Sequence, residues 1–359
     1  MKYRAGERMS QTQDVRNNGV LKSWLKQWTW AAFNNHNKIF DEIIGEEKPW
    51  QLEKFQGSHK GEPAIIIGAG TSVDKLWPII SDWKGAIFAP ESLAQTCVYH
   101  GHKPDYLMVF DAHEKVWQNW LKDFDWSGTT LITHPAASIE MIDKWTEDKI
   151  YYLMLHISRL HEELKGKNLL EKEIHAKDQL IGFDFFENVQ PVAYNFIRAK
   201  ILNAGCVVNN SIQVAHFMGY GPIFLAGVDF GFKDWNNRTD KWMLENDKWV
   251  CTEGGVIGHE EDGKMVGTDI GREIIMSLND IPTTEEQIEY KTALMSVYKL
   301  DRPQLIDCSD GIITELPKED ITEVVKKNGK GFERSYRVNE EIIGIADEYL
   351  HRRKDIHPK

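Results

Sequence analysis

The feature that most constrains the fold is a series of short apolar runs without polar alternation. A strand with one solvated face alternates apolar and polar residues, whereas a strand buried on both faces is apolar throughout. Most of the intervening stretches are long enough for a helix. The pattern predicts an α/β fold, with a Rossmann-like, open and mainly parallel sheet flanked by helices. The runs are residues 64–67, 86–89, 106–110, 130–133, 150–154, 223–226 and 304–307.

Residues 1–60 are predicted as an N-terminal helical segment. Leu21, Trp24, Leu25 and Trp28 recur at helical spacing, with polar residues on the other faces. Such a helix either docks on the main domain or lies on a membrane surface, where residues 21–33 would make a peripheral contact. Docking is the favoured interpretation, because amphipathic helices usually cover a core.

The sheet domain is predicted to cover residues 61–315. Residues 156–204 are charged and predict a helical insertion that could act as a lid. Residues 231–263 predict a long loop, and a loop of that length in a compact domain is usually functional or disordered. Residues 316–359 predict a charged C-terminal tail that is helical in part.

Composition and charge exclude several classes of protein. No apolar run is long enough to span a bilayer, which argues against a transmembrane protein. The sequence has no secretory start, so we expect a cytoplasmic location. The formal net charge of −12 argues against a nucleic-acid partner, which needs a basic face. The four cysteines are far apart and predict neither a zinc site nor disulfides.

The first apolar run leads into a glycine turn whose residues are predicted to bind a nucleotide. Two glycines let the backbone approach a ligand, and a following helix N-terminus offers N–H groups to a phosphate. A plain tight turn is the alternative. No third glycine or Walker lysine follows, so neither NAD nor P-loop chemistry is favoured. The predicted nucleotide-binding residues of the turn are Gly68, Ala69, Gly70, Thr71 and Ser72.

Two more runs lead to an aspartate, Asp111 after residues 106–110 and Asp229 after residues 223–226. Ligands of open parallel sheets bind beyond the carboxyl ends of the strands, so both side chains should lie near Gly68 in one crevice. Asp111 and Asp229 are therefore candidates for ligand binding. The alternative is that each carboxylate caps a helix or fixes a loop.

A second helix N-terminus is predicted at the same crevice. Asn209, Asn210 and Ser211 begin a helix of small and apolar residues that precedes the run at 223–226. These side chains are candidates for binding a ligand in the crevice. They are also ordinary N-cap residues, and that alternative stays open.

His259 is the candidate general base. It follows Ile257 and Gly258 in the long loop, from which a side chain could reach the crevice. An imidazole can take a proton from a hydroxyl near neutral pH, although a surface histidine is the alternative. No metal site is predicted, because the histidines lack ligand spacing and the Asp123-Phe-Asp125 motif lies at the opposite end of the sheet.

Three motifs, at residues 63–72, 101–111 and 219–229, resemble in this order the MptE-like family. That family includes the motility-accessory-factor glycosyltransferases, which modify flagellin with sialic-acid-like sugars, and the archaeal 6-hydroxymethylpterin diphosphokinases. The resemblance covers roughly residues 61–315. It implies a Rossmann-like transferase domain.

The C-terminal half is also similar to the bacterial lipooligosaccharide sialyltransferases, which implies a sialyltransferase-like variant of the GT-A fold. In those enzymes an Ile-Gly-His element supplies the catalytic base, which implies that role for His259. Ala69 replaces the asparagine of their glycine turn. Their phosphate-binding tyrosines have no clear match, and the candidate substitutes are Lys233, Arg238, Lys241, Trp242 and Lys248.

These resemblances imply transfer of a nonulosonic acid from a CMP-activated donor to a hydroxyl group on a glycan or protein. They imply that the nucleotide binds near residues 68–72 and Asp111, and that the donor sugar binds near Asn209, Asn210, Ser211 and Asp229. No metal or other cofactor is implied. Two alternatives stay open: a Mg²⁺-dependent diphosphokinase that uses ATP on a 6-hydroxymethylpterin-like alcohol, and a non-catalytic nucleotide-binding or scaffold protein. The oligomeric state is also open, and a homo-oligomer is compatible with the sequence.

Overall fold

The computed structural model describes residues 26–45, 51–122, 124–155, 190–235, 238–245, 248–255, 258–261, 264–267, 274–277 and 279–329. Its helices are α1 (26–44), α2 (Glu91–Tyr99), α3 (Ile139–Lys144), α4 (Gln190–Ala193), α5 (Val207–Phe217), α6 (Glu285–Asp301) and α7 (Ile321–Gly329). Its strands are β1 (Ala64–Ile67), β2 (Ala86–Pro90), β3 (Tyr106–Met108), β4 (Thr130–Thr133), β5 (Lys149–Tyr151), β6 (Leu153–Leu155), β7 (Lys200–Leu202), β8 (Ile223–Ala226), β9 (Lys241–Glu245), β10 (Lys248–Thr252), β11 (Gly258–Glu261), β12 (Lys264–Gly267), β13 (Ile275–Met276), β14 (Pro282–Thr283) and β15 (Leu305–Asp307). None of the described helices has the length and apolar character needed to cross a bilayer.

The centre of the fold is a seven-stranded sheet with the order β15-β8-β1-β2-β3-β4-β5. Every neighbouring pair in it is parallel. The predicted α/β class with a Rossmann-like parallel sheet is therefore confirmed. The chain extends the sheet on one side of β1 as far as β5 and then returns to β8 on the other side. Such a change of direction opens a crevice at the carboxyl ends of the two central strands.

Two hydrophobic cores lie on opposite faces of this sheet and explain the unbroken apolar runs. In β1, Ala64 and Ile66 face one core, while Ile65 and Ile67 face the other, and all four side chains are fully buried. The larger core packs against α1 and α5, and the smaller one packs against α7. Because successive side chains of a strand point to opposite faces, a strand covered on both faces contains no polar positions.

Helix α1 docks on the larger core. Ala32 and Ile39 are buried there, and the Asn35 side chain donates hydrogen bonds to the carbonyls of Pro135, at 2.9 Å, and Ala137, at 3.0 Å. The docking interpretation is therefore confirmed for residues 26–44. Leu21, Trp24 and Leu25 lie outside the described residues, and the peripheral membrane contact of residues 21–33 stays a prediction.

Strands occupy part of each predicted interruption. In the predicted helical insertion, α4 is followed by β7, which pairs in parallel with β6; residues 156–189 lie outside the described part. The prediction of a long loop is wrong for residues 241–252, where β9 and β10 form an antiparallel hairpin. Its cross-strand contacts, such as Trp249 opposite Leu244, stabilise the strands.

The segment that follows the glycine turn is not an α-helix. Two short 3₁₀ helices, Thr71–Lys75 and Trp77–Asp82, follow the turn, and the residue that caps the first is Gly70, without a side-chain hydrogen bond. Asp74 instead accepts a hydrogen bond from Thr239. Asp74 therefore makes a long-range contact and does not cap the helix.

Candidate functional site

The glycine turn between β1 and the first 3₁₀ helix packs directly against the loop that follows β8. The amide of Gly68 donates to the carbonyl of Ala226 at 2.7 Å, and that of Gly70 donates to the carbonyl of Gly227 at 2.8 Å. A Cβ atom on Gly68 would lie 2.3 Å from the carbonyl oxygen of Gly227. Glycine in this turn therefore allows two loops of the protein to pack closely against each other.

Asp229 holds this turn in place. Its carboxylate accepts a hydrogen bond from the amide of Ser72 at 3.1 Å and another from the Ser72 hydroxyl. Burial raises the pKa of Asp229, and the nearby carboxylates of Asp310 and Asp307 raise it further. The side chain is only 2% exposed. This geometry corresponds to the loop-fixing alternative, and the predicted contact with a sugar stays untested.

The three polar residues of α5 are buried and bonded within the protein. The Asn209 amide donates to the carbonyls of Ala204, at 2.7 Å, and Tyr290, at 2.9 Å. Asn210 accepts a hydrogen bond from the amide of Ala204, and Ser211 donates to a carbonyl of its own helix. None of the three borders the cavity beside the glycine turn. Their predicted role in sugar binding is not supported by these contacts and stays untested.

A cavity of about 360 Å³ opens beyond the glycine turn, at the carboxyl ends of β1 and β8. Its volume is at the small end of the range for ligand sites. The sequence-predicted residues Thr71 and Ser72 lie on its wall. The charged residues on the wall are Asp74, Lys75, Lys233, Asp234, Arg238, Asp240 and Asp310.

The cations of this cavity differ in what they already bind. Lys75 and Lys233 both form ion pairs with Asp310, at 2.8 Å and 2.6 Å. The Nε atom of Arg238, in contrast, is buried and has no hydrogen-bond partner among the described residues. A buried donor of this kind is costly unless it is bound. Arg238 is therefore the cation best placed to receive an anionic ligand.

Asp111 lies beyond the end of β3, as predicted, but not on the wall of this cavity. It is exposed, and its carboxylate accepts a hydrogen bond from the amide of His113 at 2.9 Å. Its backbone carbonyl accepts another from the amide of Ser138 at 3.0 Å. These contacts fix the local turn, and the predicted nucleotide contact stays untested.

Glu91, which we did not predict, lies directly after β2 at the same edge of the sheet. Its Oε2 atom is buried and has no hydrogen-bond partner among the described residues. The pKa of Glu91 is raised to about 7, mainly by burial and to a smaller extent by Asp111, while a hydrogen bond from its own backbone and the charge of Lys241 oppose the rise. The available signal was an acidic residue immediately after a buried apolar run, the same signal that identified Asp111 and Asp229.

Lys241 brings a second buried charge to this part of the site. The residue is 6% exposed, and its Nζ atom lies 4.8 Å from the centre of the Trp120 ring. The pKa of Lys241 is lowered to about 8, mainly by burial and to a smaller extent by the positive charge of Arg238, while Glu91 opposes the shift. Lys241 thus interacts electrostatically with both the cavity wall and Glu91.

The hairpin that carries Lys241 is fixed to α2, the helix that Glu91 begins. The amide of Trp242 donates to the Thr96 hydroxyl at 3.0 Å, and the amide of Leu244 donates to the Gln95 side chain at 2.6 Å. The rings of Trp242 and Tyr99 stack with their centres 3.9 Å apart. These contacts set the position of the cations relative to Glu91.

His259 is in β11, where it pairs with Val266 of β12. Its side chain and the neighbouring residue Ile257 lie outside the described part of the chain, so the predicted role as general base stays a prediction. Within the described ranges, no group of three or more His, Cys, Asp or Glu side chains is arranged to hold a metal ion.

Comparisons with known proteins place these features in context. The sequence profile of a family described as "6-hydroxymethylpterin diphosphokinase MptE-like" matches residues 35–235. A similar solved structure is that of the MAf glycosyltransferase from Magnetospirillum magneticum AMB-1, at 15% sequence identity and a TM-score of 0.42. The match covers 86% of this chain, which spans 44% of that longer chain. No curated protein matches the sequence.

Proposed function

Because the chain belongs to the MptE-like family, we propose that it is a transferase that binds a nucleotide-activated substrate at the carboxyl edge of its sheet. The reaction proposed is transfer of a nonulosonic acid from a CMP-activated donor to a hydroxyl group on a glycan or protein. The observation that carries this proposal is the unpartnered, buried Nε of Arg238 on the wall of the cavity beside the glycine turn.

Arg238 suits a phosphate better than it suits a neutral ligand. A guanidinium group binds phosphate oxygens through parallel N–H donors, and such charged hydrogen bonds are stronger than neutral ones. Two of the carboxylates on the wall already accept hydrogen bonds, Asp74 from Thr239 and Asp240 from the amide of Gly254. The phosphate of a donor would therefore bind on the Arg238 side of the cavity.

This arrangement supports departure of the nucleotide without a metal ion. Positive charge fixed where negative charge develops lowers the barrier to bond cleavage. Arg238 would stabilise the phosphate as CMP leaves, with Lys75 and Lys233 nearby in their ion pairs with Asp310. The proton acceptor implied by resemblance is His259.

Thermal stability in the presence of nucleotides tests the binding step. A ligand that binds only the folded state raises the melting temperature. We expect CMP to raise it without Mg²⁺, and UDP, GDP and ATP to raise it less. In Arg238→Gln the affinity for CMP should fall at least about tenfold, as for the loss of one charged hydrogen bond. Arg198→Gln, at an exposed position, is the matched control.

The results separate the three functional classes. A shift with CMP together with product from a CMP-activated nonulosonic acid supports the glycosyltransferase. A shift with CMP but no product from any donor, across a panel of acceptors, would favour a non-catalytic binding protein. Equal CMP affinity in Arg238→Gln and the native protein would remove Arg238 from the phosphate site.

A diphosphokinase is the second candidate, because the description of the matching family names that activity. It would transfer a diphosphate from ATP to a pterin-like alcohol and release AMP. Metal ions that bridge the phosphates of ATP are part of such chemistry. A thermal shift with ATP that requires Mg²⁺, together with release of AMP, would replace the glycosyltransferase proposal.

A further inference from the structure

We propose that Glu91 is the group that takes the proton from the acceptor hydroxyl. This inference rests on the proposed glycosyltransferase function and assigns to Glu91 the role that resemblance implies for His259. The observations that support this role are the position of Glu91 at the sheet edge, its unpartnered oxygen and the charges that act on it.

The position of Glu91 follows from the sheet. Strand β2 lies beside β1, and its last residue, Pro90, is paired with Met108 of β3. Glu91 comes next and begins α2, so its side chain is held at the carboxyl edge by two regular elements. The residue as a whole is half-buried, and its Oε2 atom is enclosed by the protein.

The Glu91 carboxyl group also differs from its neighbours in its hydrogen bonds. Asp229 is bound by Ser72, Asp310 by two lysines, and Asp111 by the amide of His113. In Glu91 a hydrogen bond from its own backbone favours the ionised carboxylate, but Oε2 has no hydrogen-bond partner among the described residues. A hydroxyl group of the acceptor would supply the missing donor.

Charged groups on two neighbouring segments act on Glu91. Asp111, beyond β3, disfavours the ionised carboxylate, and Lys241 of β9 favours it. Arg238, ahead of β9, acts on Lys241 in turn. Burial outweighs these charges and raises the pKa of Glu91 to about 7, so the carboxylate is a stronger base than an ordinary glutamate and is still ionised just above neutral pH.

The proton transfer balances without a further reactant. The acceptor oxygen forms a bond to the anomeric carbon of the sugar while the bond from that carbon to the phosphate oxygen breaks. The electron pair of the broken bond leaves with CMP. The hydroxyl proton moves to Oε2 of Glu91, which releases it to solvent after the product departs.

The pH dependence of kcat/KM tests this role. In the native protein we expect kcat/KM to rise with pH through a limb near pH 7. Glu91→Gln keeps the size of the side chain but cannot accept the proton, so kcat should fall by about 100-fold or more and the limb should disappear. KM for the donor and CMP binding should change little. Glu323→Gln, at an exposed position on α7, is the matched control.

Comparison with His259→Ala separates this inference from the function on which it rests. Any residual activity of His259→Ala should keep the limb near pH 7. Transfer by Glu91→Gln within threefold of the native rate, or loss of the limb in His259→Ala alone, would overturn the role of Glu91 and leave the glycosyltransferase standing. No transfer by the native protein with any donor would overturn both. Mg²⁺ binding that Glu91→Gln abolishes would assign the carboxylate to a metal site instead.

Discussion

The raised pKa of Glu91 has a consequence for stability. Because the pKa is higher in the folded protein than in the unfolded chain, the folded state binds the proton more tightly. The contribution of the Glu91 carboxyl group to the free energy of unfolding is fully present below pH 4.5 and is lost as pH rises through about 7. The whole effect is on the order of 2–3 kcal/mol.

We therefore expect Glu91→Gln to gain stability relative to the native protein as pH rises. The difference in melting temperature, variant minus native, should be more positive at pH 8 than at pH 5, because glutamine does not ionise. Thermal denaturation at the two pH values measures this difference. An identical difference at both values would show that Glu91 titrates as an ordinary surface glutamate.

Gly70 is a second residue whose surroundings predict a measurable effect. A Cβ atom there would lie 2.2 Å from Oδ2 of Asp229, the carboxylate that holds Ser72. Gly70→Ala should lower the stability by about 1–3 kcal/mol, as expected for overpacking, and should weaken nucleotide binding. At Gly221 the nearest atom would be 3.5 Å away, so Gly221→Ala is the control. Equal melting temperatures for the two variants would contradict the role of Gly70.

At the scale of elements, the buried contact of α1 with the sheet predicts how the helix is held. Glu42 accepts hydrogen bonds from Lys149 and from the Tyr151 hydroxyl, each at 2.7 Å. Glu42→Ala would leave the buried Lys149 without its carboxylate, and such a loss costs about 3–5 kcal/mol. Chemical denaturation should show this drop in the free energy of unfolding.

An exposed ion pair between α1 and α3 provides the comparison. Lys38 and Asp143 are 3.1 Å apart with both side chains partly exposed, and exposed pairs contribute about 0–1 kcal/mol. Asp143→Ala should therefore cost far less than Glu42→Ala. Similar costs for the two variants would mean that α1 is not anchored through Glu42.

The sequence predicted the strands of the sheet better than the segments around it. Burial on both faces is a local property of each run, and each of the seven runs contains a strand of the sheet. The run at 150–154 spans both β5 and β6, because Tyr152 interrupts the strand. The β9–β10 hairpin was missed, since its strands depend on contacts with α2 that lie far away in sequence.

The site was also predicted only in part, because it depends on contacts between segments that are distant in sequence. The turn at Gly68 and the edge position of Asp229 followed from a strand and its end. The environment of Glu91 comes from burial and from charges on two separate segments, so no local pattern contains it. The hydrogen-bond partners of Asn209 could not be predicted from a local pattern either, because one of them is the carbonyl of Tyr290 in α6.

At the scale of the whole molecule, the two faces of the sheet form the hydrophobic cores, and its carboxyl edge borders the cavity. The strand side chains fill the two cores, whereas the cavity is bounded by residues that follow the strands. Loops can vary on a fixed scaffold in this way, and function commonly depends on them. The edge containing Arg238 and Glu91 is therefore where the reaction of this protein is to be sought.

The separation of the cores from the cavity wall has an evolutionary consequence. A substitution at Arg238 or Glu91 leaves the packing of β1 and β8 intact, so it can alter the chemistry at little cost in folding. Descendants of one ancestral gene can thus diverge in substrate by accumulating changes at a few loop positions. The same sheet can therefore support different reactions in related proteins.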